Sequence, residues 1–153
     1  MRKQEELAQK KVLVTGGAGF IGSAFVRNFS SLFKHMYIVD SLTYAGNLKR
    51  IHSEISKTNV EFIESDILDV NKYQKIIKEL DYVVHFAAET HVDRSIMDAS
   101  AFIRTNVIGT HTLLEAARKN GNKRFHHIST DEVFGALDFD DQKFSENTPY
   151  DPR

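Results

Sequence analysis

Late in the chain a pair of hydroxyls stands beside a pair of carboxylates, Ser129-Thr130-Asp131-Glu132, directly after the strand-like stretch Phe125-His126-His127-Ile128. At a strand end such a run can position a sugar hydroxyl, donate one proton and remove another, provided that the surroundings separate the two carboxyl pKa values. The same residue types also cap helices and turns, so the run reads either as an acid–base pair or as a cap. Histidine offers other chemistry at His85, at His91 with Asp93, and at His126-His127. Neighbouring strand residues point to opposite faces, so His126 and His127 do not readily share one metal ion, and no metal site is expected. His91 reads either as a substrate contact beside a cleft or as an ordinary polar loop residue. Cysteine is absent, which removes thiolate nucleophiles, thiolate metal sites and disulfides.

Earlier, four of the eight glycines fall in Gly16-Gly17-Ala18-Gly19-Phe20-Ile21-Gly22, between the apolar run Lys11-Val12-Leu13-Val14-Thr15 and a helix-like stretch. A glycine turn between strand and helix lets backbone N–H groups approach a diphosphate with no Cβ in the way, and the helix N-terminus favours the anion. Asp40 closes the second strand-like run, where a carboxylate accepts the hydroxyl protons of an adenosine ribose and repels a 2′-phosphate. Ser41, Leu42 and Thr43 follow it with no arginine, so NAD is expected rather than NADP. Asp66, with Ile67, follows the third strand, where it reads as a cap or as a neighbour of adenine. The fourth strand ends in Phe86-Ala87-Ala88-Glu89-Thr90, small residues where a flat cofactor passes close to the backbone.

These groups need a scaffold, and the chain alternates strand-like and helix-like stretches. Strands are expected at residues 11–15, 36–39, 60–63, 82–86 and 125–128. Apolar stripes at helical spacing lie between them: Ile21, Phe25, Phe29 and Leu32; Leu48, Ile51 and Ile55; Tyr73, Ile76, Ile77 and Leu80; and Ile103, Val107, Leu114 and Ala117, the last ending near Gly121. The pattern predicts an α/β fold, a Rossmann-like doubly wound parallel sheet with right-handed crossovers. A polar leader over residues 1–10 precedes it, and residues 138–143 read as a solvated acidic loop.

With 153 residues, 20 basic against 21 acidic and no long basic run, the chain has the size of one domain and no electrostatic footprint for nucleic acid or an anionic membrane. No apolar stretch approaches the ~20 residues of a membrane span, and the start lacks the apolar core of a signal peptide, so a cytoplasmic location is expected.

Four segments carry a resemblance over nearly the whole chain: residues 14–23; Asp40-Ser41-Leu42-Thr43-Tyr44-Ala45-Gly46-Asn47-Leu48; His85-Phe86-Ala87-Ala88-Glu89-Thr90-His91-Val92-Asp93-Arg94-Ser95; and Ser129-Thr130-Asp131-Glu132-Val133-Phe134-Gly135. The sequence resembles the N-terminal half of an extended short-chain dehydrogenase/reductase, most closely the dTDP-glucose 4,6-dehydratase family. That resemblance implies a diphosphate site at Gly16, Gly19, Phe20, Ile21 and Gly22, a ribose site at Asp40, Ser41, Leu42 and Thr43, and an adenine site at Asp66 and Ile67. Phe86, Ala87, Ala88, Glu89 and Thr105 would line the rest of the NAD site, with Thr90 and Thr130 touching the hexose. Asp131 and Glu132 match the family's acid and base. The implied substrate is a small-molecule nucleotide sugar, and the implied reaction takes a hydride from C4, removes water across C5 and C6, and returns the hydride to C6. A UDP-sugar 4,6-dehydratase or epimerase shares the NAD site, although epimerases do not normally carry the Thr-Asp-Glu run; a non-catalytic NAD-binding module is the other reading.

The family's Tyr-x-x-x-Lys is not found: Tyr150 is the last tyrosine and the sequence given stops at Arg153. The chain is therefore expected to be a truncated dehydratase, lacking also the sugar-nucleotide-binding C-terminal portion, and inactive alone. Smaller departures are Ser41 and Phe134, where lysine and tyrosine are common. The resemblance further implies a homodimer at full length, formed through helices that include residues 103–117, and self-association of the isolated chain.

Overall fold

The computed structural model describes residues 2–91, 98–121, 124–140 and 142–152. Five strands, β1 (Lys11–Thr15), β2 (His35–Asp40), β3 (Val60–Glu64), β4 (Tyr82–His85) and β5 (Arg124–His127), form one sheet in the order β3-β2-β1-β4-β5. Every pairing is parallel, with Leu13 opposite Tyr37 on one side and Val83 on the other. The doubly wound fold is the one expected from the alternation, with strand ends shifted by a residue or so.

Central strands are apolar because both faces are covered: Val12, Leu13, Val14 and Thr15 are fully buried. One core packs Val12, Val14, Val26, Met36, Ile38 and Ile51 on one side of the sheet. The other packs Leu13, Val39, Ile67, Tyr73, Ile77, Val83, Leu113 and Ala117. At the edge, β5 is largely exposed.

The crossovers are α2 (Phe20–Phe29), the short turns Leu48–Ile51 and α3 (His52–Ile55), the turns Val70–Lys72 and α4 (Gln74–Ile77), and a continuous helix after β4. That helix consists of α5 (Ala99–Phe102), a π-helical stretch Ile103–Gly109, and α6 (Thr110–Lys119). It ends at Gly121, whose φ of 68° is the left-handed stop that glycine adopts freely.

Two expected stripes are corrected. In α2 the buried positions are Gly22, Ser23 and Val26, whereas Ile21 and Phe29 are exposed. The reason is steric: Gly22 lies so close to the Gly16 carbonyl that a Cβ would meet its oxygen at 2.2 Å, which turns the small residues inward. Phe25 packs beside them, its ring centroid 5.4 Å from that of Phe86. In the last helix the buried positions are Gly109, Leu113 and Ala117, and Ile103, Val107 and Leu114 face solvent. Gly109 sets that face, since a Cβ there would strike the Ile67 side chain at 2.5 Å. The polar leader contains α1 (Arg2–Leu7), whose Leu7 packs on the core. Asp138, Phe139, Asp140, Gln142 and Lys143 are exposed, as expected of a solvated loop.

Candidate functional site

The chains leaving β1 and β4 diverge, one toward β2 and the other toward β5, and open a crevice at the carboxyl ends of the strands. Gly16 begins it. Its N–H donates to the Val39 carbonyl (2.8 Å), its φ is +69°, and a Cβ would lie 2.6 Å from the Ala87 nitrogen, so only glycine brings the two chains together. The following helix, α2, starts at Gly19 with no side-chain cap. Its first-turn N–H groups therefore have the geometry that takes up an anion.

A cleft opens here, walled by Gly16 and Gly19, by Asp40, Ser41 and Thr43, by Asp66 and Ile67, and by Phe86, Ala87, Ala88, Glu89 and Thr105. Four sequence-predicted residues stand outside that lining. Phe20 and Ile21 turn their side chains to solvent, 82% and 63% exposed, and bring only backbone to the turn. Gly22 is packed on Gly16, and Leu42 sits behind the wall at a φ of +49°.

Asp40 is buried, and its Oδ2 accepts from the Ala18 N–H and its Oδ1 from the Leu42 N–H, both at 2.9 Å. A carboxylate has about four acceptor positions, so two remain for hydroxyl donors from the cleft. This carboxylate, the cradle under Gly16 and the uncapped helix start fit the ribose and diphosphate of a dinucleotide. Asp66 lines the cleft while its Oδ1 accepts from the Leu68 N–H at 2.9 Å, so the cap and cleft readings both hold. Sequence reasoning missed Val39, Ala45, Gly46 and Ser65, which also line the cleft. The signal for Gly46 was a glycine inside the Asp40 loop, where a Cβ would come within 2.8 Å of Asp40 Oδ1. Ile67 is held by the buried Tyr73, whose hydroxyl donates to the Ile67 carbonyl at 2.6 Å and whose pKa burial raises.

Ala87, Ala88 and Glu89 also form the start of a second hollow, lined beyond them by Thr90, Asn106, Thr110, His127, Ser129, Thr130 and Glu132 among others. Thr90, Thr130 and Glu132 are thus brought together beside the first cleft. Asp131 is not part of that lining; it opens the turn Asp131–Phe134, capped by Thr130, and its Oδ1 lies 3.4 Å from the Thr130 hydroxyl.

Asn106, unremarked in the sequence, clamps the segment shared by the two hollows. Its Oδ1 accepts from the Glu89 N–H and its Nδ2 donates to the Glu89 carbonyl, each at 2.9 Å. The π-helical stretch carries Thr105 to one hollow and Asn106 to the other, and such wide turns recur at functional sites. His91 lines neither hollow; it stacks on Tyr44 at 5.4 Å, and the Tyr44 hydroxyl donates to Glu89 Oε2 at 3.2 Å. Val92, Asp93, Arg94 and Ser95 lie outside the described residues. Among those that are described, no group of three or more His, Asp or Glu side chains is arranged to hold a metal ion, and no helix is long and apolar enough to cross a membrane.

Known proteins are similar to this chain in sequence and in fold. A dTDP-glucose 4,6-dehydratase of Mycobacterium tuberculosis (strain CDC 1551 / Oshkosh) is 46% identical over 147 residues, which cover 93% of this chain and 43% of the relative. The chain therefore spans less than half the length of that relative. A solved structure of a dTDP-glucose 4,6-dehydratase from Streptomyces venezuelae with NAD bound superposes with a TM-score of 0.85 at 43% identity, covering 93% of this chain and 45% of the other. A UDP-N-acetylglucosamine 4-epimerase from Methanobrevibacter ruminantium follows with a TM-score of 0.83 at 29% identity, over 94% of this chain and 44% of that one. The family described as GDP-mannose 4,6 dehydratase matches residues 13–153, and with the glycine turn, the Asp40 loop and the parallel sheet in register behind it, the chain belongs to that family.

Proposed function

We propose that this chain is the cofactor-binding part of an NAD-dependent nucleotide-sugar 4,6-dehydratase acting on dTDP-glucose. The observation that carries the reading is the confluence of the two hollows at Ala87, Ala88 and Glu89, with the glycine turn and Asp40 on one side and Thr90, Thr130 and Glu132 on the other. Bound there, NAD would accept a hydride from the hexose C4 and return it to C6. Gly16 and Gly19 give the diphosphate its backbone contacts, Asp40 takes the ribose hydroxyls, and Ser65, Asp66 and Ile67 flank the adenine. Thr90 and Thr130 orient the hexose. Glu132 removes the C5 proton, made acidic by the neighbouring C4 ketone, and Asp131 protonates the departing C6 hydroxyl. That role requires the Asp131 side chain to turn toward the second hollow when sugar is present.

The dTDP moiety rests on the names of the relatives, since the family's description carries a different nucleobase. An epimerase reading is favoured by the epimerase likeness but opposed by the adjacent Asp131 and Glu132. The proposal includes a cytoplasmic setting and, for a longer chain, a homodimer, which the exposed Ile103, Val107 and Leu114 support.

Titration calorimetry of the 153-residue chain with NAD and NADP tests the reading. NAD is expected to bind and NADP to bind at least tenfold more weakly; equal affinity, or none for either, overturns it. Incubation with dTDP-glucose and NAD is expected to yield no 4-keto-6-deoxy sugar, because the chain supplies no Tyr-x-x-x-Lys to deprotonate the C4 hydroxyl.

A further inference from the structure

We infer that Arg50 is a positioning residue for the nucleotide, a latch that holds the adenosine wall of the cleft against the glycine turn; this rests on the dinucleotide reading above. A single guanidinium nitrogen, Nη1, donates to two carbonyls from different loops, Ala18 at 3.1 Å and Ala45 at 2.6 Å. Ala18 belongs to the glycine turn, and Ala45 lines the cleft. The Ala18 peptide is the junction between the loops. Its carbonyl also accepts from the Asn47 N–H at 3.0 Å, and its N–H is the one that donates to Asp40 Oδ2.

The wall needs a latch, because its intrinsic preferences oppose its shape. Leu42 is held at a φ of +49°, a strained conformation for a side chain with a Cβ, and no regular element spans residues 41–47. Asp40 restrains one end of this loop through the Leu42 N–H, and Arg50 restrains the other through Ala45. The Arg50 carbonyl is itself capped by Arg27 Nη1 at 3.0 Å, so the latch is fixed to α2. Among the described residues, neither Arg27 nor Arg50 has a carboxylate within ion-pair distance. The charge of Arg50 is thus committed to the two carbonyls, which accept a charged donor more strongly than a neutral one. Arg50 lines neither of the two hollows, so it acts on the nucleotide through Ala18 and Ala45 rather than by touching it.

The test compares the 153-residue chain with its Arg50→Ala and Arg50→Lys variants by calorimetry with NAD and with ADP-ribose, and by amide hydrogen exchange without nucleotide. Arg50→Ala, which removes both charge-assisted hydrogen bonds, is expected to weaken both ligands in parallel by roughly tenfold, since the bonds are lost to the loop and only part of that loss reaches the nucleotide. Added guanidinium at millimolar concentration should restore part of that loss, while equal sodium chloride should not. Arg50→Lys, which keeps the charge on a shorter side chain whose ammonium does not reach the position of Nη1, should fall between. In the ligand-free protein, exchange should quicken at Asn47 and Leu42 and stay unchanged in β1. Exchange and affinities unaltered in Arg50→Ala overturn the latch, as does full retention of affinity in Arg50→Lys without guanidinium rescue in Arg50→Ala, which would leave charge alone as the cause. Should the parent chain bind no nucleotide, the dinucleotide reading fails, and the exchange rates still decide whether Arg50 holds the loop.

Discussion

The Thr15 hydroxyl lies 2.6 Å from Nδ1 of His85, inside the sheet and directly below the segment shared by the two hollows. Thr15 Oγ1 also accepts a long bond from the Ala87 N–H at 3.4 Å, and His85 Nε2 meets the Thr110 hydroxyl at 3.0 Å. The chain is satisfied when Thr15 donates to Nδ1 and Nε2–H donates to Thr110, which is the neutral imidazole. His85 thereby ties β1, β4 and α6 together under the floor of the site.

Burial, and behind it the neighbouring His127, hold the His85 imidazole down to about 4 from an ordinary 6.5. Between those values the unfolded chain binds a proton that the folded chain refuses, so stability rises with pH through this window and is lost as pH falls through it. The full loss is on the order of 3 kcal/mol. Urea unfolding at pH 7.5 and pH 4.5 should show it, and His85→Gln should flatten the difference. An equal slope in parent and variant would assign the acid sensitivity elsewhere.

Gly16 and Gly121 share nearly the same backbone conformation, φ of 69° and 68°, but a Cβ on Gly16 meets the Ala87 backbone whereas a Cβ on Gly121 meets nothing within 4 Å among the described residues. Gly121→Ala should cost only the conformational penalty, about 1 kcal/mol. Gly16→Ala adds a clash with backbone that has nowhere to move and should cost at least about 3 kcal/mol, as well as cofactor affinity. Comparison of the two denaturation midpoints measures the contact between the glycine turn and the segment that follows β4; equal losses would mean the close approach is absent.

How far the sequence revealed these features depends on what each one rests on. The strands and the glycine turn were legible because a buried parallel strand and a Cβ-free turn each demand a residue type at a fixed place, as in Val12-Leu13-Val14-Thr15 followed by Gly16. Asp40 was legible because it closes a strand. The helix faces were misread because Ile21, Phe29, Ile103 and Val107 follow helical spacing, while the contact is set by glycines that let backbone and Ile67 come close, and a glycine adds nothing to an apolar stripe. Asn106 and Arg50 were invisible for another reason: their bonds go to backbone carbonyls and N–H groups, and backbone partners leave no mark in side-chain patterns.

Asn106→Ala removes both bonds to Glu89, leaving a part-buried N–H and carbonyl without their partner, at about 1–3 kcal/mol. Asn106→Asp keeps the acceptor for the N–H but sets a carboxylate against the Glu89 carbonyl, so it should not rescue at neutral pH and should partly rescue in acid. The expected readout is faster amide exchange at Glu89 together with weaker NAD binding. Normal exchange in Asn106→Ala would mean the clamp does not hold the segment.

Ile103, Val107 and Leu114 are 55%, 61% and 43% exposed along the continuous helix whose other side carries Gly109, Leu113 and Ala117 into the core. Ile108, 50% exposed, extends the surface. Apolar groups arrayed in this way associate by removing area from water at about 25 cal/mol per Å². The chain should therefore scatter light as a species heavier than 17.5 kDa at high concentration, as a self-associating face requires. Val107→Glu with Leu114→Glu should return it toward the monomer mass without lowering the melting temperature, because neither side chain supports the core. A parent chain that stays monomeric at high concentration would remove this face from the dimer proposal, and a double variant that still associates would move the contact to another surface, of which the exposed edge of β5 is the next to probe.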